Sequence, residues 1–217
     1  LATVDGRGEW SFPGAGPHVV VIDNHDSFTY NLVQAFTALG ARVTVRLSDR
    51  VSLSELIDLA PERVVLSPGP GGPSKAGVSA EALAHFHRRV PLLGVCLGYQ
   101  VLAQEMGARV VPNGEPVHGK ACQIDHDRQG IFAAMPTPFL AARYHSLAVV
   151  EETLPPTLRV VGRDQEGSVM AIGTPGEATW GVQFHPESFL TPEGTILLGA
   201  FLDGVGCPLG EEESVAQ

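Results

Sequence analysis

The chain has 217 residues, with 24 acidic against 14 basic side chains, a formal net charge of −10, and three cysteines. The length suits one well-cored unit, and the charge has the wrong sign for a phosphate backbone or an anionic membrane surface, so no nucleic-acid or membrane partner is expected. No apolar run approaches bilayer-spanning length, and an odd cysteine number without C-x-x-C spacing argues for a reducing, cytoplasmic compartment rather than a disulfide framework.

In chain order, residues 1–17, "LATVDGRGEWSFPGAGP", are glycine-rich and aperiodic and read as a flexible tail or a linker. "VVVID" is an uninterrupted apolar strand. Asp26 or Ser27 is placed to cap a helix on which Phe28, Leu32, Phe36 and Leu39 recur, with Gly40 as its stop. "ARVTVRL" alternates as a strand, "SLSELIDLA" is a short helix ended by Pro61, and "RVVL" is a buried strand. A helix at "AEALAHFHRRV", a strand at "PLLGV" and a helix through Met106 follow. After Gly107 the pieces are strand-like, "ARVV", "ACQID", "LAVV", "LRVVG", "SVMAIG" and "TWGVQF", and a helix from about Pro192 to Leu202 closes the pattern. Alternating strands and helices predict an α/β fold over residues 18–203. Its central sheet is mostly parallel, with helices on both faces and additional strands in the second half. Residues 204–217 read as a flexible acidic tail.

In such sheets ligands collect beyond the carboxyl ends of the strands, where "DNHDSFTYN", "SPGPGGP" and "GVCLG" all fall. Gly94 and Gly98 bracket Cys96 in a G-x-C-x-G arrangement, the thiol counterpart of the strand-turn-helix elbow that lifts a nucleophile clear of a sheet. A cysteine at a helix N-terminus favours thiolate, and it needs a base with an orienting partner. In "GVQFHPESF", His185 follows a strand and Glu187 lies two residues on, on the same face of an extended segment. The N–H of Leu97 and the glycines Gly69 and Gly71, stiffened by Pro68 and Pro70, are candidate oxyanion donors. Cys122 and Cys207 carry no comparable context, His85 and His87 face different sides of a helix, and "GPGG" lacks the lysine of a phosphate-binding loop, so no metal or cofactor site is expected.

With Cys96 and "FHPE" in place, the chain resembles the class I, triad-type glutamine amidotransferases. "VIDNHDSFTYNL", "LSPGPGGP", "GVCLGYQ", "VHGK", "RYHSL" and "GVQFHPESFLTPEG" occur in the order seen in the glutaminase component shared by anthranilate synthase and aminodeoxychorismate synthase. The resemblance implies hydrolysis of L-glutamine through a thioester, and ammonia passed to a chorismate-using synthase subunit or fused domain. It implies Cys96 as nucleophile, His185 as acid and base, and Glu187 as its orienting carboxylate. Gly69, Pro70 and Gly71 then form the glutamine-binding and oxyanion loop, while Gln100, Ser146 and Leu147 hold the substrate's amino-acid end. His118 and Lys120 are left at the pocket rim or a partner contact. The alternatives are a catalytically silent scaffold that binds a synthase, which the presence of all three triad residues disfavours, and an amidotransferase feeding a different acceptor.

Overall fold

A computed structural model describes residues 2–4 and 10–205, apart from the side chains of 115–118. Two short strands, β1 (Thr3–Val4) and β2 (Trp10–Phe12), precede β3 (His18–Asp23), α1 (Thr29–Ala38), β4 (Arg42–Leu47), α2 (Leu53–Asp58) and β5 (Arg63–Leu66). Next come α3 (Ser79–Phe86), β6 (Leu92–Val95), α4 (Leu97–Glu105), β7 (Arg109–His126), β8 (Phe139–Val150), β9 (Arg159–Asp164), β10 (Val169–Gly173), β11 (Thr179–Val182) and α5 (Gly194–Leu202). Among the described residues all strands join one 11-stranded sheet in the order β1-β2-β4-β3-β5-β6-β11-β10-β9-β7-β8.

The strands β4, β3, β5, β6 and β11 run parallel, and the additional strands of the second half, beyond β11, are antiparallel. Because successive side chains of a strand point to opposite faces, the apolar runs feed two cores. Val19, Val21, Val65, Leu93 and Val95 pack with Leu32 and Phe36 of α1 and with Leu197 and Phe201 of α5. Val20, Ile22, Val64, Leu66 and Leu92 pack with Leu56, Leu83, Phe86, Val101 and Leu102 of α2, α3 and α4 on the other face. The helices on both faces thus follow from the double-sided burial of the strands.

Three local expectations change. The segment 1–17 is not simply a tail: Ser11 and Phe12 pair with Thr44 and Val43, and Gly16 N–H donates to Gly40 O at 2.8 Å. Three residues are too few to show an alternating pattern, so β2 left no periodic signal. Neither Asp26 nor Ser27 caps α1; the N-cap is Phe28, and the Asp26 carboxylate accepts from the Phe28 N–H at 2.7 Å. Finally, "ARVV" and "ACQID" are halves of the single irregular strand β7, whose ladder with β8 shifts register between Pro112 and Val117. Cys207 and all but Gly204 and Val205 of the expected C-terminal tail lie outside the described residues.

Candidate active site

Two neighbouring parallel strands bring the candidate groups together. Val95, the last residue of β6, is in register with Val182, the last of β11, and Cys96 N–H donates to Val182 O at 2.8 Å. Cys96 and the "QFHPE" segment therefore leave the sheet side by side. Cys96 turns sharply, with φ of +52° and ψ of −99°, a conformation an L-residue adopts only under constraint, and it becomes the N-cap of α4. Its side chain thus stands at the positive end of the helix dipole. The flanking glycines are required by close approach: a Cβ on Gly94 would lie 2.4 Å from Gly98 O, and one on Gly98 would lie 2.2 Å from Leu66 O. The helix start is pressed against the strands with no room for a methyl group.

His185 is 1% exposed and its backbone is pinned. His185 N–H donates to Ala142 O at 3.0 Å, and the Thr191 hydroxyl donates to His185 O at 2.7 Å. Its Nδ1 lies 2.7 Å from Glu187 Oε1, and both side chains are buried. The pair forms across a turn in which Ser188 N–H donates to His185 O, not along an extended segment as the spacing suggested. Nε2 makes no hydrogen bond among the described residues, leaving that atom for the Cys96 sulfur. Catalytic hydrogen bonds are often formed only once substrate is bound. Burial by itself lowers the His185 pKa, but the interactions with Cys96 and Glu187 outweigh it and raise the pKa to about 10. The ring is held edge-on by Phe28 and Tyr144, at centroid distances of 5.2 and 5.1 Å.

In front of Cys96 lies a cavity of about 150 Å³ lined by Gly69, Pro70, Gly71, Gln100 and the run Tyr144, His145, Ser146 and Leu147. Every substrate-binding residue expected from sequence lines it except Leu97, which is buried beside Gly69: a Cβ on Gly69 would fall 2.6 Å from Leu97 Cδ2 and 2.6 Å from Asn24 Cβ. Gly71 adopts φ of +82°, which glycine allows and other residues resist. The loop is tied down: Asn24 N–H donates to Ser67 Oγ, Asn24 Nδ2 to Ser67 O, and the Ser79 hydroxyl to Asn24 Oδ1, each at 2.9 Å.

Sequence reasoning missed Gln183, whose Nε2 reaches the Cys96 sulfur at 3.7 Å while its Oε1 accepts from Gln100 Nε2 at 3.2 Å. It missed the Phe28 and Tyr144 walls as well. Lys120 lies at a separate cavity of about 480 Å³ with Asn113, Cys122 and Arg143, and the His118 side chain is outside the described residues. Among the described residues no group of His, Cys, Asp and Glu is arranged to hold a metal ion.

Residues 20–205 match the family model described as glutamine amidotransferase class-I. The chain is 45% identical over 185 residues to aminodeoxychorismate synthase component 2 of Klebsiella aerogenes, covering 85% of this chain and 99% of that protein. It is 46% identical over 198 residues to anthranilate synthase component 2 of Pseudomonas aeruginosa, covering 89% of this chain and 98% of that protein. Its fold matches the crystal structure of a glutamine amidotransferase from Thermotoga maritima with a TM-score of 0.70 at 16% identity, over 87% of this chain and 96% of that one.

Proposed function

The chain belongs to the class I glutamine amidotransferase family, and on that premise we propose that it hydrolyses L-glutamine at Cys96 and delivers the ammonia to a chorismate-using synthase. The observation that carries this reading is the constrained Cys96 elbow, facing a small cavity on one side with the His185–Glu187 pair behind it.

The chemistry follows from those groups. Cys96 attacks as thiolate beside a His185 imidazolium whose charged form persists up to about pH 10. The sulfur forms a bond to the side-chain amide carbon of glutamine, and the carbonyl oxygen takes up negative charge. The N–H of Leu97, at the open end of α4, and the Gly69–Gly71 backbone are the donors for that oxyanion. His185 gives its proton to the amide nitrogen, the carbon–nitrogen bond breaks, and ammonia leaves a γ-glutamyl thioester on Cys96. The same imidazole, now neutral, takes a proton from water, which attacks the thioester and releases glutamate and thiolate. Glu187 holds the ring so that Nε2 faces sulfur. Gln100, Ser146 and Leu147 take the amino-acid end of the substrate.

Two relatives of similar identity are named for different products, so the acceptor is read at the level of chorismate, leading to anthranilate or to aminodeoxychorismate. Both are second components of a synthase, which supports a partner subunit for this chain. A reducing cytoplasm suits a working thiolate. The test is glutamate release by the chain alone and with each candidate synthase, with and without chorismate. Stimulation by a synthase is expected; an isolated chain that is fully active and indifferent to every synthase would favour a stand-alone hydrolase.

A further inference from the structure

One wall of the cavity is the run Tyr144 to Leu147 of β8, the last strand of the sheet. This run lies where the ladder to β7 is broken. Pro112 pairs with Leu147 and Val117 with His145, so residues 113–116 stand opposite Ser146 alone. An edge strand beside such a bulge has no continuous ladder to fix its backbone. Buried polar side chains also reach this run. His145 Nδ1–H donates to Leu147 O at 2.9 Å, and its Nε2 accepts from Arg143 Nε at 3.1 Å. Arg143 Nη1 donates to Asp164 Oδ2 at 2.8 Å, and the other oxygen of Asp164 accepts from the N–H groups of Glu166 at 3.0 Å and Ser168 at 2.8 Å. All three side chains are buried, on strands β8 and β9, which are not neighbours in the sheet.

We propose that the Asp164–Arg143–His145 chain is a positioning device that sets the Ser146–Leu147 backbone for the amino-acid end of the substrate. This rests on the reading of the cavity as the glutamine pocket. The geometry also decides against a second function for His145. Both ring nitrogens are engaged, so the ring has no free acceptor with which to take a proton from a thiol or water. It is a neutral ring with its proton on Nδ1, in keeping with burial and neighbouring cations that hold its pKa down to about 4. A buried ion pair contributes little net stability compared with an apolar replacement; what this one supplies is a single side-chain geometry reaching from the 164–168 turn to the pocket wall.

The experiment compares His145→Phe, which keeps a ring and removes both hydrogen bonds, with His145→Gln, which restores a donor and an acceptor. Steady-state kcat and KM for glutamine are measured in the synthase complex, and the rate of Cys96 alkylation by iodoacetamide is measured on the same preparations. His145→Phe is expected to raise KM by at least about tenfold, the size of a lost buried hydrogen bond, with kcat and the alkylation rate within about threefold of wild type. His145→Gln is expected to recover most of the KM. An unchanged KM overturns the proposal, as does a fall of kcat in parallel with the alkylation rate, which would place His145 on the Cys96–His185 pair instead. Should His145→Phe not fold, Arg143→Lys, which keeps the charge beside Asp164 but not the fork to His145, is read by the same three quantities. A wild-type complex without glutaminase activity would overturn the reading of the pocket, an outcome distinct from a normal wild type with an indifferent His145→Phe.

Discussion

His185 receives opposite pushes from its surroundings, and their balance predicts how its neighbours affect activity. Burial disfavours its charge, and Cys96 and Glu187 restore it. Removing the Glu187 charge takes away a raising influence, so Glu187→Gln shifts the alkaline limb of kcat/KM to lower pH, whereas His185→Gln removes the proposed acid and base altogether. The expected loss at His185 is about 10²- to 10⁴-fold, larger than at Glu187, and pH–rate profiles of both variants check the ranking. Equal small losses would point to another base. The proposed triad was legible because each member carries chemistry in its own local string, a cysteine between glycines and a histidine two residues before a glutamate. Gln183 and Phe28 were not, since an amide or a phenyl ring has many ordinary places in a sequence and its meaning here lies in contacts across the fold. Arg143 and His145 did leave a signal. In "FLAARYH" the inward positions are Phe139, Ala141, Arg143 and His145, so the strand's alternation places a cation and an imidazole on the buried face, where they need partners.

The elbow between β6 and α4 is where local geometry meets chemistry. A methyl group on Gly98 would meet the Leu66 carbonyl oxygen at 2.2 Å, backbone that cannot swing aside. Gly98→Ala is therefore expected to push α4 away from the sheet, destabilising the protein by about 1–3 kcal/mol as overpacking does. A shift of about 1 Å at the nucleophile lowers kcat by on the order of 100-fold. Denaturant melts and glutamate release measure the two effects, and wild-type values for both would contradict the close packing. The parallel core was readable because β3, β5 and β6 are short apolar runs and β4 alternates, with glycine and proline between the elements. The β7–β8 pair was not: its bulge inserts 113–116 against one residue, and no periodicity in either strand announces such a break. Nor did sequence show that the "DNHDS" and "SPGPGG" loops are joined through Asn24, Ser67 and Ser79.

For the molecule as a whole, two buried imidazoles shape the dependence of stability on pH in opposite senses. His145 has its pKa lowered from 6.5 to about 4, so between those values the unfolded chain binds a proton that the folded chain refuses, and stability falls as pH falls. His185 has its pKa raised from 6.5 to about 10; its contribution is fully present below pH 6.5 and is lost as pH rises through about 10. These two rings therefore favour a loss of stability on both sides of neutrality, and the lowered pKa values of buried His18 and of His87 add to the acid branch. Thermal melts across pH are expected to show a flatter acid branch in His145→Gln and a flatter alkaline branch in Glu187→Gln. Melting curves of unchanged shape would mean that neither ring has the ionisation described. The central claim, that Cys96 is the nucleophile of a glutaminase, has a more direct test: glutamate release by Cys96→Ala assembled with the synthase, beside ammonia-dependent product formation by the same complex. Glutamate release at the uncatalysed background with ammonia-dependent synthesis preserved is the predicted result, and near-normal glutamate release by Cys96→Ala would contradict it.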